Sequence, residues 1–327
     1  MNLLRVLPVS AASLLLITIG CGSSNTVNTP GGASTIYVAQ NNSTTGLSSI
    51  LEFPATDQGS VTPIATLTPP ANTTFWVPTV DSSGNLYVSA TVVTEQSMLN
   101  EVLVYAAGAT GDATPTRSIT SFSNTVMSLA VDSTGLLYAI SGDTISVFAA
   151  NATGNAIPVR QITGGVTLLN NPYSIAVDSA QNIYVSNTGG ASILVFSASA
   201  TGNAVPTRAI TGTNTQLGYS FGIAVDAVGD IFATTEMSGT EDISQVLEFA
   251  PNANGNALPT RTLTAVADDP IAGIQVDADG TLYVVVMNNN LMTVDVFSSG
   301  TSGSTAPART ITSTAWTMSD SGQIAIH

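Results

Sequence analysis

Residues 172–196 read PYSIAVDSAQNIYVSNTGGASILVF. Three runs within and just beyond this stretch, 173–178, 183–187 and 192–198, are rich in Val, Ile, Tyr and Phe, and turn-forming Ser, Asn, Gln and Gly separate them. β-Branched and aromatic residues bounded by such punctuation predict strands joined by tight connections. A Gly/Asn/Pro turn, ATGNAVP at 200–206, leads into a fourth run, TRAIT at 207–211. The whole is a four-stranded unit. Beyond the N-terminal apolar run, no window shows a helical period.

The unit repeats. VDSSGNLYV begins at 80, VDSTGLLYA at 131, VDSAQNIYV at 177, VDAVGDIFA at 225 and VDADGTLYV at 276, and a worn copy, MSDSGQIAI, begins at 318. Successive copies lie 42 to 51 residues apart, the length of one propeller blade. Innermost strands are expected to end at Asp81, Asp132, Asp178, Asp226, Asp277 and Ser319, which predicts six blades. The chain opens inside a blade (35–68) and closes inside one (314–327). The expected fold is therefore all-β: a six-bladed β-propeller of four-stranded blades whose closing blade is built from both chain ends. Such closure removes exposed sheet edges. TIYVA (35–39) and QIAIH (323–327) both read as second strands, which leaves one of them surplus.

With these residues in view, PYSIAVDSAQNIYVSNTGGASILVF resembles an NHL repeat, the unit of six-bladed NHL-type β-propellers. The resemblance covers nearly all of 34–327, the expected single domain. It implies an architecture and leaves the activity open, because propellers carry many unrelated functions.

Residues 1–20 read as a signal peptide, a short cationic start followed by the apolar VLPVSAASLLLITIG. That run is too short for a comfortable membrane span. Ile19-Gly20-Cys21 resembles the bacterial lipoprotein signal, although Thr18 stands where that family usually has Leu. The resemblance implies that Cys21 is lipidated. The alternative is an ordinary secretory signal, and in either case the protein is exported. Cys21 is the only cysteine, so no intramolecular disulfide can form. Residues 21–33, uncharged and rich in Gly, Ser, Thr, Asn and Pro, read as the lipidated N-terminus and a flexible tether. The expected location is the bacterial cell envelope, at the outer membrane or cell surface, with the membrane touched through the lipid only. Without lipidation the protein would be secreted.

Charged residues make up 8% of the chain and the net charge is −15, against about 25% charged residues in a typical soluble protein. Nucleic acid is excluded as a partner, because phosphate contacts need clustered cations. There is no lysine, and five of the six arginines, Arg117, Arg160, Arg208, Arg261 and Arg309, occupy the same place in the repeat. The fourth strand that lacks the arginine carries Ala65, and the first strand that lacks the aspartate carries Ser319; both fall in the closing blade. This joint loss pairs Asp81 with Arg117, Asp132 with Arg160, Asp178 with Arg208, Asp226 with Arg261, and Asp277 with Arg309. First and fourth strands stand about 14 Å apart at ~4.8 Å per step, so a water, a turn carbonyl or a neighbouring blade is expected between them. The functional alternative is a ring of arginines that binds a polyanion.

One face of the ring carries the repeated turns and reads as scaffold. The other carries connections that vary, including 89–101 and 234–244 and several aromatic loops. Variable loops on a rigid ring are where binding usually sits. Trp76, Tyr173, Tyr219, Phe221 and Trp316 are candidates for a binding mouth around the central channel, and the alternative is that they wedge between blades. Catalysis finds little support. The propeller enzymes that this fold resembles, lactonases and streptogramin lyases, use metal-binding carboxylates or histidines near the channel. Here the only histidine is His327, the last residue, where fraying is expected. Glu95, Glu236, Glu241, Asp242, Asp268 and Asp269 lie on the variable side. They leave Ca²⁺ open as a cofactor; no other cofactor and no defined metal site is expected. The expected function is a monomeric, non-enzymatic scaffold that binds a protein, peptide or glycan. The alternative is a carboxylate- or calcium-dependent hydrolase or lyase.

Overall fold

A computed structural model describes residues 35–42, 47–218, 222–237, 243–264, 271–288, 291–316 and 323–327. The signal segment, Cys21 and the tether lie outside these residues, as do Tyr219, Phe221, Ser319, Glu241, Asp242, Asp268 and Asp269. No α-helix occurs among the described residues, and two single 3₁₀ turns interrupt the strands.

Six sheets form six blades of four antiparallel strands, and the sheet of blade 5 also takes Gly59–Ser60 as a fifth, parallel strand. From the inside outward, blade 1 is Thr73–Val80, Leu86–Val93, Met98–Tyr105 and Arg117–Phe122. Blade 2 is Val126–Val131, Leu137–Ser141, Thr144–Phe148 and Arg160–Ile162. Blade 3 is Pro172–Val177, Ile183–Asn187, Ser192–Phe196 and Arg208–Thr211. Blade 4 is Ile223–Val225, Ile231–Met237, Ile243–Phe249 and Arg261–Thr264. Blade 5 is Ile271–Val276, Leu282–Asn288, Leu291–Phe297 and Arg309–Thr312. The closing blade, blade 6, takes Ile324–Ile326 as its inner strand and then Thr35–Asn42, Leu47–Pro54 and Ala65–Leu67.

Blade 6 corrects the sequence reading. QIAIH is the inner strand and TIYVA the second, so neither is surplus. The ends are tied by Thr35 N donating to His327 O at 2.7 Å and His327 N donating to Thr35 O at 2.9 Å. His327, not Ser319, therefore stands where the other blades place aspartate. It is not frayed: it sits in the ring near Gly84 of blade 1. The joint loss survives with new members, since blade 6 carries His327 and Ala65 in place of aspartate and arginine.

The apolar residues of each blade bury against the next, giving six clusters, one per seam. Each third strand ends on a buried ring at the same repeat position: Phe53, Tyr105, Phe148, Phe196, Phe249 and Phe297. An aromatic side chain buries about 150–250 Å², so this position anchors every seam. A second device rings the outside. The fourth strand of each blade makes a parallel bridge to a turn glycine of the next, namely Leu67 with Gly111, Ile119 with Gly154, Ile162 with Gly202, Ile210 with Gly255, Leu263 with Gly303 and Ile311 with Gly59. Gly202 has φ +63° with open space where a Cβ would stand, so the backbone conformation, not crowding, selects glycine there.

The repeated aspartate closes the turn between first and second strands. Asp178 Oδ1 accepts from Asn182 N at 2.8 Å, and Oδ2 accepts from Asn182 Nδ2 at 2.8 Å and from the Tyr184 hydroxyl at 3.0 Å. Aspartate and arginine do not meet directly; the tyrosine of the second strand stands between them. In blade 1, Arg117 Nη2 donates to the Tyr87 hydroxyl at 2.9 Å, Tyr87 donates to Asp81 at 3.4 Å, and Arg117 Nη1 donates to Ala152 O of blade 2 at 2.7 Å. Tyrosines 138, 184 and 283 link their own aspartate and arginine in the same way. Arg160 and Arg208 likewise reach carbonyls of the following blade, at Ala198 and Ala253. The phrase is thus a strand-spanning link and an inter-blade tie, satisfying turn carbonyls with the forked guanidinium.

Blade 4 has Phe232 where the tyrosine should be, and Arg261 turns to Glu248 across the same strand pair, the one ion pair among the described residues. Blade 6 has the acid without the base: Glu52 faces Ala65. Burial raises the Glu52 carboxyl above its ordinary value, and burial together with the Glu52 charge pushes the Tyr37 hydroxyl up to about 12. A carboxyl whose folded pKa is raised keeps its proton better in the folded state. Stability then falls as pH rises from the usual carboxylate range through the raised value, and the penalty is complete above it. Glu52→Gln is therefore expected to raise the melting temperature at pH 8 more than at pH 4. Ala65→Arg, which reproduces the blade 4 pair, should give a gain with the same pH dependence. Thermal melts across pH test both.

Candidate functional site

The inner strands of blades 1 to 6 succeed one another around the channel. On the face of the variable connections the inner strands of blades 1, 2, 3 and 5 start with an irregularity. In blade 3, Pro172 pairs Asn187 and Ser174 pairs Ser186, so Tyr173 is an extra residue. Met127 in blade 2 and Ala272 in blade 5 are extra at the same place, five residues before the aspartate. In blade 1 the irregularity spans Trp76 and Val77. A bulge re-aims a side chain and orphans an amide. Second-strand hydroxyls recover that amide: Ser186 Oγ accepts from Ser174 N and Ser89 Oγ from Val77 N at 3.0 Å each. In blade 4 Thr234 Oγ1 accepts from Gly222 N, at the same repeat position, at 2.7 Å.

The bulged residues of blades 1, 2 and 3 line a cavity at the channel mouth. It measures about 220 Å³ and is bounded by Trp76, Val77, Thr125, Val126, Met127, Tyr173 and Gln323. The Tyr173 hydroxyl is hydrogen-bonded to the Gln323 side chain. These residues belong to blades 3 and 6, which stand opposite in a ring of six, so the pair bridges the channel. Gln323 Nε2 also donates to Ala272 O at 3.2 Å. Burial raises the Tyr173 hydroxyl above its ordinary value, and the bond to Gln323 partly offsets it. Trp76 is held by its Nε1 donating to Thr91 Oγ1 at 3.0 Å.

A second cavity of about 480 Å³ opens outward between blades 2 and 3 and shares Thr125, Met127 and Tyr173 with the first. Asn124, Gly142, Asn171, Pro172 and Thr188 complete its wall. The connection behind it is fixed. Asn187, 1% exposed, accepts from Asn170 N at 2.7 Å and donates to Leu168 O at 3.1 Å. Asp143 Oδ1 accepts from Asn171 N at 3.0 Å. Leu168 and Asn171 hold φ of +63° and +53°; such strain persists only where the surroundings over-determine it, and it clusters at ligand clamps.

Of the residues singled out in the sequence, Trp76 and Tyr173 come together here. Trp316 does not line either cavity. It is 6% exposed in the seam between blades 5 and 6, edge-on to Phe53 at 5.2 Å. Ala315 and Trp316 pack into the seam, so Trp316 wedges rather than rims. Met127, Thr125, Asn124, Asn171 and Gln323 were missed. Counting back five residues from each aspartate would have found Met127 beside Trp76 and Tyr173. Among the described residues no group of three or more His, Cys, Asp or Glu is placed to hold a metal ion. Glu95 is exposed at the tip of the hairpin Leu86–Val93/Met98–Tyr105, and Glu236 lies in the second strand of blade 4.

No family model and no curated protein matches the chain. Solved structures do. A protein of unknown function from Bacteroides caccae aligns with a TM-score of 0.54 and 11% identity, covering 90% of this chain and 99% of that one. Sqt1 from Chaetomium thermophilum gives 0.48 and 13%, covering 89% and 86%. A catalytically inactive virginiamycin B lyase from Staphylococcus aureus, solved with quinupristin, gives 0.37 and 11%, covering 88% and 92%. At these identities the likeness is one of fold, and the Bacteroides caccae protein alone of the three is similar enough to carry it: the chain is a six-bladed β-propeller.

Proposed function

We propose that this protein is an exported, lipid-anchored propeller of the bacterial cell envelope that binds its ligand without transforming it, through the variable-loop face. The observation that carries the reading is the joined pair of cavities at the mouth, where side chains re-aimed by bulges converge on a rigid wall. Concave, preformed sites with a few placed polar groups are the usual form of a ligand site. The described lining offers aromatic, thioether, hydroxyl and amide groups, and none of them is a carboxylate, imidazole or thiol. The NHL-type resemblance and the lipoprotein-like start of the chain support the architecture and the address.

Hydrogen exchange tests the binding. Incubation with an envelope extract should slow amide exchange at 124–127 and 170–174 without changing the composition of the extract. Depletion of an extract component, abolished by EDTA and restored by Ca²⁺, would instead establish the hydrolase or lyase alternative. The anchor is tested by fatty-acid labelling in the bacterial host, which is expected in the wild type and absent in Cys21→Ser. Equal labelling would refute lipidation.

A further inference from the structure

We propose that the ligand taken at the channel mouth is an uncharged oligosaccharide; this rests on the binding role proposed above. The described walls of both cavities are uncharged, and they set the rings of Trp76 and Tyr173 among the side-chain amides and hydroxyls of Asn124, Thr125, Asn171 and Gln323. Sugar rings present an apolar face of C–H groups and a rim of hydroxyls. The first suits an aromatic ring and the second suits side chains that both donate and accept, as amides and hydroxyls do.

An extended peptide fits the same walls less well. Peptide recognition draws its affinity from main-chain hydrogen bonds to an open strand edge or backbone cradle. Here the main chain around the outer cavity is already engaged. Asn171 N donates to Asp143, Thr188 N donates to Asn171 O at 3.2 Å, Gly189 N donates to Asn170 O at 3.0 Å, and Asn124 O accepts from Ser141 Oγ at 2.9 Å. An anionic glycan is disfavoured twice, because the wall supplies no cation and the chain carries −15. The Trp76 anchor to Thr91 and the Tyr173–Gln323 bond hold the two rings before a ligand arrives, which lowers the ordering cost of binding.

The chain has two tryptophans, so Trp316→Phe leaves Trp76 as the sole indole and a reporter of the mouth. The purified protein carrying that substitution is titrated with neutral hexasaccharides of glucose, mannose, xylose and N-acetylglucosamine, with oligogalacturonate, and with a pool of uncharged decapeptides. The expected result is a saturable fluorescence change with at least one neutral hexasaccharide and none with oligogalacturonate. Affinity should fall at least tenfold in Tyr173→Ala, and calorimetry should show the same loss in Trp76→Ala in the wild-type background. Far-ultraviolet dichroism confirms that each variant is folded, and Trp76→Phe and Tyr173→Phe, which keep the rings, should retain most of the affinity. A change with the peptides and with no hexasaccharide overturns the glycan assignment and leaves the binding role standing. Silence towards every probe overturns the glycan assignment as well, and the hydrogen-exchange experiment then decides the binding role by itself.

Discussion

Replacing Asp132 by alanine should lower stability by about 3–4 kcal/mol, whereas the same change at Asp226 should cost about 1–2 kcal/mol. The two residues hold the same repeat position but not the same partners. Asp132 Oδ1 accepts from Thr134 N at 2.8 Å, Thr134 Oγ1 at 2.6 Å and Leu136 N at 3.0 Å. Its Oδ2 accepts from the Tyr138 hydroxyl at 3.0 Å and from Gln181 Nε2 of blade 3 at 2.8 Å. Asp226 accepts from Val228 N at 3.0 Å and Asp230 N at 2.9 Å, and Phe232 offers it no hydroxyl. Hydrogen bonds to a charged group contribute about 1.5–3 kcal/mol and are not additive. Removing Asp132 also takes away the acceptor of the hydroxyl of Tyr138, which is fully buried and keeps only the bond from Arg160, and a buried donor left without an acceptor costs about 1–3 kcal/mol. At ~2–3 °C per kcal/mol for a chain of this size, the melting temperature of Asp132→Ala should fall by about 6–12 °C, and that of Asp226→Ala by about 2–6 °C. Equal losses at the two sites would show that the tyrosine and the inter-blade glutamine add nothing to the turn.

That comparison also shows what the sequence could and could not convey. Blade number, blade length and closure by the two ends follow from a repeat whose strands and turns agree at every level. The tyrosine lay in plain view inside the repeated phrase, between the aspartate and the arginine. Its place in a strand explained it well enough that its hydroxyl went unread. Gln181 was harder to read. It occupies a turn position that is glycine in four other blades, at φ +64°, and its side chain spans the seam to Asp132. A departure from glycine at such a position marks a contact that pays for left-handed backbone.

The final copy was misplaced for a definite reason. SDSG at 319–322 imitates the turn that follows a first strand, and IAI satisfies the two-residue period of either an inner or a second strand. Only pairing decides between them: Ile324–Ile326 lies beside Thr35–Asn42 and is the innermost strand of that sheet among the described residues. The site shows a similar limit. Trp76 and Tyr173 were recognisable as aromatics on the variable side, but a bulge adds one residue to an alternating run without any signal of its own. What exposed it was common register, with Met127, Tyr173 and Ala272 each inserted as the extra residue at one distance from the aspartate.

Trp316→Ala should be the most damaging single change in the ring, at about 3–5 kcal/mol, the range for truncating a buried large aromatic. Trp316 packs with Phe53, Val285, Val294, Ile311 and Ile324 in the seam between blades 5 and 6. That seam holds a blade made from two separate parts of the chain, joined at Thr35 and His327. In blades 1 to 5 a loosened seam still leaves four strands connected by their own turns. In blade 6 the inner strand is held to Thr35–Asn42 by pairing alone, so a cavity beside it lowers the cost of opening the ring locally. Hydrogen exchange should therefore accelerate at 36–38 and 324–326 before it does at 192–196 in blade 3. Trp316→Phe should separate packing from polarity. The ring contact with Phe53 is kept, and Trp316 Nε1, buried without a hydrogen-bond partner among the described residues, is removed. The smaller ring then costs about 1 kcal/mol or less, because relief of the orphaned donor offsets part of the lost volume. A uniform acceleration across all six blades in Trp316→Ala would mean that the ring opens as one cooperative unit and that the closing seam has no special weakness.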